Sequence, residues 1–441
     1  MFLSIVCDVL YSICSKIDEF FALPSLIMFL AIGIFLTIKT KFVQFRAFGR
    51  FMSLLSRGVK HTHVKNEKSI NPFHALLTSM ATTIGMGNIV GPTIAISTGG
   101  PGALFWLVAY SFFGAVVKFT EVSFAINFRT RLASGNLIGG PTQYLKQVSN
   151  FLAIWYGAVT VFLFAGWSGL QANTLATIFA LESIPKTITG LVLAVIVLIV
   201  VRGGIVRIGE VTSKLVPFMF VMYVTFTLSI ILSDISGLWS ALCLVVASAF
   251  SPSAAVGGFL GASVIAAMRQ GINRNIYITE AGLGTSSIAH SMADTQHATD
   301  QAILAMYSII ADTFLMILSG LLILVTGLWS RGAFSNTLVY EAFKTYSPGF
   351  GKWVLLASVM LFVVTTVIGN SFNASQSFAS FTKYRWMNWY YAFLALVVVL
   401  GAHAQVPLVW KIMDVMQIMV AVPHILGLFI LTLKRSDVLK I

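Results

Sequence analysis

Thr82-Thr83-Ile84-Gly85-Met86-Gly87-Asn88-Ile89-Val90-Gly91-Pro92 lies near the middle of an apolar run that opens at Asn71-Pro72 and closes before Gly99-Gly100-Pro101. Three glycines, an asparagine and a proline so close together interrupt an α-helix, since glycine is conformationally loose and proline lacks an N–H. In hydrocarbon, freed backbone groups persist only where they line a cavity or meet a ligand. Close helix packing through Gly87-x-x-x-Gly91 is the competing explanation. It requires neither Asn88 nor Pro92, so the stretch reads as a transmembrane helix broken at mid-depth.

A second candidate break, Ala254-Ala255-Val256-Gly257-Gly258-Phe259-Leu260-Gly261-Ala262-Ser263, sits in the middle of a later apolar run. Composition supports a membrane setting for both. The chain has 441 residues, of which 57% are hydrophobic and 10% charged, against about 25% charged in soluble domains. So few charges cannot cover a soluble surface of this size. Disordered, collagen-like and disulfide-scaffold classes are excluded by the same figures. Cys7, Cys14 and Cys243 show no Cys-x-x-Cys spacing, and redox or zinc chemistry is not expected.

Charge-free stretches place eleven helices at roughly 20–38, 73–98, 102–127, 150–181, 187–203, 213–233, 238–268, 301–328, 353–382, 386–402 and 408–433. Ser97-Thr98-Gly99-Gly100-Pro101-Gly102 divides the uncharged stretch between Lys68 and Lys118. Most of the 28 Lys and Arg residues then fall on one side, beginning with Lys39, Lys41, Arg46, Arg50, Arg57, Lys60, Lys65 and Lys68 after the first helix. Basic residues mark the cytoplasmic face, which puts the N-terminus outside and the C-terminus in the cytoplasm. The net charge of +13 is thus a topology signal, and no nucleic-acid partner is expected. The first twenty residues lack a basic leader and contain Asp8, so no signal peptide is expected.

The expected fold is an all-α polytopic membrane protein: one extra N-terminal helix, then a five-plus-five inverted repeat with a broken helix opening each half. Residues 1–72 form the N-terminal helix and basic loop, 73–233 the first repeat, 238–433 the second and 434–441 a cytoplasmic tail. Paired broken helices point to a transporter with its site at the midplane. A half-helix N-terminus suits a carboxylate, and unwound carbonyls suit Na⁺ or an ammonium. A small zwitterion travelling with a cation meets both.

Candidate substrate-binding residues are Thr83, Gly85, Gly87 and Asn88 at the first break and Gly257, Gly258 and Phe259 at the second. Gln171 and Asn173 on the fourth helix, beside Thr174, are pocket donors or helix–helix glue. Asn370 lies four residues after Thr366 on the ninth helix, hence on the same face. Thr365 and Thr366 form a hydroxyl pair that completes a sodium site beside the first break; back-bonding to helix carbonyls is the rival reading. Lys118 and Glu121, three apart on one helix, are expected to pair with each other. Asp312 lies deep in its span with no basic neighbour in sequence, a candidate cation or proton site or a carboxylate satisfied by neighbouring donors. The polar segment from Arg269 to His290 reads as a cytoplasmic loop. His61, His63, His403 and His424 lack metal-ligand spacing. No nucleotide-binding, Ser-His-Asp or zinc-enzyme motif occurs, so no enzyme activity and no cofactor are expected.

Several runs resemble the alanine/glycine:cation symporter family: Gly85-Met86-Gly87-Asn88-Ile89-Val90-Gly91, Thr98-Gly99-Gly100-Pro101-Gly102-Ala103, Lys118-Phe119-Thr120-Glu121, Gln171-Ala172-Asn173, and Glu280-Ala281-Gly282-Leu283-Gly284 with Ile288-Ala289-His290. The resemblance extends over nearly the whole chain. It implies a leucine-transporter-like fold and Na⁺-driven uptake of alanine or glycine across a bacterial cytoplasmic (inner) membrane. It further implies that Asn88 and the carbonyls near Ala81 and Ile84 serve cation and substrate, with Thr365 and Thr366 completing a sodium site. Met86 and Thr279 stand where the family usually carries Thr and Asn, and Gly369-Asn370-Ser371-Phe372-Asn373-Ala374-Ser375 replaces its Gly-Trp-Tyr-Tyr-like run. The expected function is sodium-coupled symport of a small neutral amino acid, with the bilayer, substrate and sodium ion as partners. Alternatives are another small solute, proton coupling through Asp312, or a channel.

Overall fold

The computed structural model describes residues 2–58, 69–133, 135, 137–250, 264–331, 337–404 and 406–440. Among these, six helices are long and apolar enough to cross a bilayer. The principal helices, labelled in chain order, are α1 (Phe2–Lys39), α2 (Pro72–Thr83), α3 (Met86–Gly99), α4 (Gly102–Asn127), α5 (Asn150–Ala180), α6 (Lys186–Val201) and α7 (Gly204–Leu232). They continue as α8 (Ile235–Phe250), α9 (Val264–Thr279), α10 (Ser286–His290), α11 (Ala298–Val325), α12 (Gly351–Thr382), α13 (Met387–Gly401) and α14 (Val406–Lys434). The fold class is the expected one. The pair α2/α3 is followed by α4 to α7, and the pair α9/α10 by α11 to α14.

The first break falls where the glycines put it. Asn71 starts α2 by accepting the Phe73 N–H at 2.7 Å, with Pro72 in the first turn, where its missing donor costs nothing. The helix stops at Thr83, Ile84 adopts an extended conformation, and α3 resumes at Met86. The Gly87-x-x-x-Gly91 face also packs closely. A Cβ on Gly87 would lie 3.0 Å from the Tyr277 ring, and one on Gly91 would lie 2.7 Å from Ile278 Cδ1. Both readings of this stretch hold together, one for each side of the helix.

The second half differs from expectation. Residues 254–263, the expected break, and with them Gly257, Gly258 and Phe259, lie outside the described residues. The span expected over 238–268 is divided between α8 and α9. The discontinuity that the described residues carry here is Glu280–Thr285, between α9 and α10. Glu280, Gly282 and Gly284 all have positive φ (58°, 98° and 75°), a conformation glycine supplies without steric cost. The segment read as a cytoplasmic loop is instead buried almost throughout from Gly271 to Ala293. Its polarity misled because several of its polar groups find partners distant in sequence, Arg274 on Asp414 and Asn275 on Ser111 among them.

Arg269 and Arg274 are paired accordingly. Arg269 and Lys411 both reach Asp18, at 3.1 and 2.6 Å, and Arg274 makes a bidentate pair with Asp414 at 3.1 Å. These two arginines therefore sit with Lys411 in one ion-pair group and not in a solvated loop. Around this frame α4 packs along α9 and α11, while α5 packs along α12, α13 and α14.

Candidate functional site

Both breaks open onto one small cavity. Its walls are Thr82, Thr83, Gly85 and Gly87 from the first break and Tyr277, Ile278 and Glu280 from the second. Trp167 and Gln171 of α5 and Thr366 and Asn370 of α12 complete it. Four separate elements thus supply the lining, the arrangement a midplane site needs.

The N-terminus of α3 is closed on itself. Asn88 Oδ1 accepts the Gly85 N–H at 2.9 Å, the Asn88 N–H donates to the Gly85 carbonyl at 3.1 Å, and Gln171 Oε1 accepts the Met86 N–H at 3.3 Å. With these N–H groups paired inside the protein, it is the helix dipole that favours an anion at this corner. On the other side, the Thr366 hydroxyl donates to the Ile84 carbonyl at 3.3 Å. Gly369 lies against Ala81 and Thr82, where a Cβ would come within 2.5 Å of Thr82 Cγ2. So α12 runs directly beside the carbonyls of Ala81 and Ile84.

Three polar atoms on residues lining this cavity have no hydrogen-bond partner: the Trp167 indole N–H, Asn370 Oδ1 and Glu280 Oε1. All three residues are buried, at 3%, 1% and 1% exposure. An unpaired buried polar group costs about 1–3 kcal/mol. One donor and two acceptors, one of them a carboxylate oxygen, suit a small ligand carrying both charges.

The remaining candidates are sorted by their contacts. Thr83, Gly85, Gly87, Gln171 and Asn370 line the cavity, and Asn88 orders its edge. Asn173 does not face it. Its amide donates to the carbonyls of Gly401 and Ala404 at 2.9 and 2.7 Å, gluing α5 to the end of α13. Thr365 points toward α7, its hydroxyl within 3.3 Å of Met219 sulfur and bonded to the Leu361 and Phe362 carbonyls. Only Thr366 of the expected pair touches the break. Trp167, Tyr277, Ile278 and Glu280 were not anticipated; positive-φ-capable residues in Glu280-Ala281-Gly282-Leu283-Gly284 were the available signal.

Lys118 and Glu121 do not pair with each other. Lys118 Nζ lies 4.0 Å from Asp312 Oδ2, both side chains fully buried, while Glu121 Oε1 accepts the N–H groups of Gly282 and Gly284 at 2.9 and 3.0 Å. The carboxylate spans the second break because that turn leaves its amides unpaired, and Lys118 turns instead to α11. Among the described residues, no three His, Cys, Asp or Glu side chains group as a metal site.

Aromatic rings cover the cavity on the Arg274 side. Trp167 meets Tyr277 edge-on at 5.5 Å, Tyr277 meets Trp410 at 5.1 Å, and the Arg274 guanidinium lies 4.7 Å above the Trp410 ring. Beyond them opens a wider charged cleft lined by Asp18, Arg269, Lys411 and Asp414.

A family model described as the sodium:alanine symporter family matches residues 7–440. A transporter of Haemophilus influenzae is 30% identical over 427 residues, covering 95% of this chain and 92% of that protein. The sodium/alanine symporter AgcS of Methanococcus maripaludis is 32% identical over 420 residues, covering 92% and 91%. Among solved structures, MhsT in complex with L-phenylalanine superposes with a TM-score of 0.60 at 14% identity, over 83% of this chain and 90% of that one.

Proposed function

The chain belongs to the sodium:alanine symporter family, and on that premise we propose that it carries alanine or glycine into the cell together with sodium, by alternating access. It is a multi-pass membrane transporter, not an enzyme, and sodium is its coupling ion. The finer reading rests on one observation above the others. Unpartnered polar atoms of both signs, on Trp167, Asn370 and Glu280, line the cavity where the two helix breaks meet. Such atoms match a zwitterion better than an apolar or singly charged solute.

In this reading the substrate carboxylate lies toward the α3 N-terminus, near Gly85, Gly87 and Asn88. The ammonium lies toward Glu280 and the unwound carbonyls of the second break. Sodium sits between α2 and α12, held by the Ala81 and Ile84 carbonyls and the Thr366 hydroxyl, with Thr365 joining by rotation of its side chain. Asn370 and Gln171 bound the remaining space. Orientation follows the basic loops: the N-terminus outside and the C-terminus in the cytoplasm of a bacterial cell.

The Tyr277 and Trp167 rings limit the substrate side chain. A group larger than methyl must displace one of them, at a cost of about 1–3 kcal/mol. Thermal unfolding of the purified protein in sodium buffer, over a panel of amino acids, tests this. Alanine and glycine are expected to raise the unfolding temperature, and valine, leucine and phenylalanine to leave it unchanged. Equal shifts for the large side chains would refute the assigned size limit.

A further inference from the structure

An apolar groove of about 330 Å³ runs between α4 and α11 and shares no residue with the cavity at the breaks. Phe112 and Ala115 form one wall, and a single stripe of α11, from Met306 through Ile310 to Ile317, forms the other. At 1.5 Å per residue that stripe is about 16 Å long. One leaflet of a bilayer supplies about the same depth, half of a ~30 Å hydrocarbon core. Ile310 and Phe45, both on the lining, are more than half exposed.

One end of the groove is basic. The Tyr307 hydroxyl donates to the Gln44 carbonyl at 2.7 Å, and the Phe45 and Phe112 rings lie 5.6 Å apart. Here α1 ends at Lys39, Lys41 and Phe42 turn the chain with positive φ (54° and 56°), and Val43–Arg46 leads to a helix over Phe48–Gly58. Phe42, Phe45, Phe48 and Met52 are all at least half exposed, beside exposed Lys39, Lys41 and Arg46. Apolar and cationic side chains exposed in one segment suit a membrane–water boundary. Arg50 is paired with Asp300 at 2.7 Å, and Arg46 donates to the Thr40 carbonyl at 3.3 Å. Among the described residues, Lys39 and Lys41 have no acidic partner.

Gln44 lines the groove at this basic end and is only 9% exposed. Its amide nitrogen donates to the Thr37 hydroxyl at 2.9 Å and to the Phe112 carbonyl at 3.3 Å. A carbonyl can only accept, which fixes the nitrogen on that side. Gln44 Oε1 is then left buried with no partner, and a buried acceptor without a donor is costly. Lys41 is three residues away, so ammonium and amide lie at one end of the groove, their backbones within about 11 Å.

We propose that this flank binds one anionic phospholipid with a hydroxyl-bearing headgroup, of the phosphatidylglycerol type. An acyl chain fills the groove along α11, the phosphate lies against Lys39 and Lys41, and a headgroup hydroxyl donates to Gln44 Oε1. With the orientation proposed above, the lipid belongs to the cytoplasmic leaflet. Its binding is independent of what the central cavity carries.

Native mass spectrometry of the full-length protein, released from nanodiscs of equal phosphatidylglycerol and phosphatidylethanolamine, tests this. The second lipid offers a donor but no net charge. One phosphatidylglycerol per chain is expected to persist, favoured on the order of twentyfold, as two basic residues at ~1 kcal/mol each supply. Lys39→Gln with Lys41→Gln should erase that preference. Lys146→Gln with Lys434→Gln, an equal loss of exposed charge elsewhere, should leave it unchanged. Ala115→Leu should expel the lipid by filling the groove; if it fails to fold, the two lysine pairs decide. Equal retention of both lipids, or equal losses from the two lysine pairs, would overturn the assignment. So would a dimer that buries this flank and excludes lipid from it.

Discussion

Gly85→Ala is expected to lower sodium-dependent alanine uptake by about a hundredfold while the protein still reaches the membrane. The added methyl would run into the Thr366 hydroxyl, with Thr366 Cβ and Cγ2 at 3.2 Å. Neither side can yield easily, because Thr366 is held to the Ile84 carbonyl and α12 packs along α2 through Gly369. Overpacking of this kind costs about 1–3 kcal/mol, and here it falls on the carbonyls assigned to sodium. Gly49→Ala is the control, since a Cβ there meets nothing within 4 Å. Uptake per amount of membrane-inserted protein measures the effect. Equal rates for the two variants would show that α12 need not approach the break so closely.

The second large effect is on stability. Lys118→Met removes the positive charge beside Asp312, and losing one partner of a buried pair costs about 3–5 kcal/mol. The unfolding temperature should fall markedly. Lys118→Met combined with Asp312→Asn should recover part of the loss, because the carboxylate 4.0 Å from Lys118 Nζ is then a neutral amide. Exposed Lys146→Met should change little. Tryptophan fluorescence during thermal unfolding, over the single and double variants, gives the coupling. Additive losses would show that the two side chains do not neutralise each other.

The first break was legible because its signal is local. Gly85, Gly87, Gly91, Asn88 and Pro92 disturb a helix wherever it lies. Glu280-Ala281-Gly282-Leu283-Gly284 carries the same kind of signal, but charge overrode it. Arg269, Arg274, Glu280 and His290 resemble a solvated loop until their partners are known. Arg274 meets Asp414, Glu121 spans the Gly282 and Gly284 amides, and Lys118 meets Asp312. These contacts bridge more than a hundred residues, so spacing within one helix could not reveal them. Lys118 and Glu121 illustrate the limit: three apart on one face, they were the obvious pair, yet each found a better partner on another helix.

Gln171 and Asn173 show the same limit at short range. Two positions apart on α5, they point to different neighbours, one into the cavity and one onto the α13 carbonyls. Only the packing of α5 between the second break and α13 separates a site residue from a structural one. The fold, by contrast, follows from run lengths, glycine clusters and basic loops, which the chain displays directly.

Reconstituted full-length protein in sealed liposomes tests the central claim most directly, through uptake of labelled alanine under an imposed inward sodium gradient. Alanine is expected to accumulate above its external concentration and to leak back when the gradient is collapsed. Identical uptake with choline replacing sodium on both sides would contradict sodium-coupled symport at the paired helix breaks.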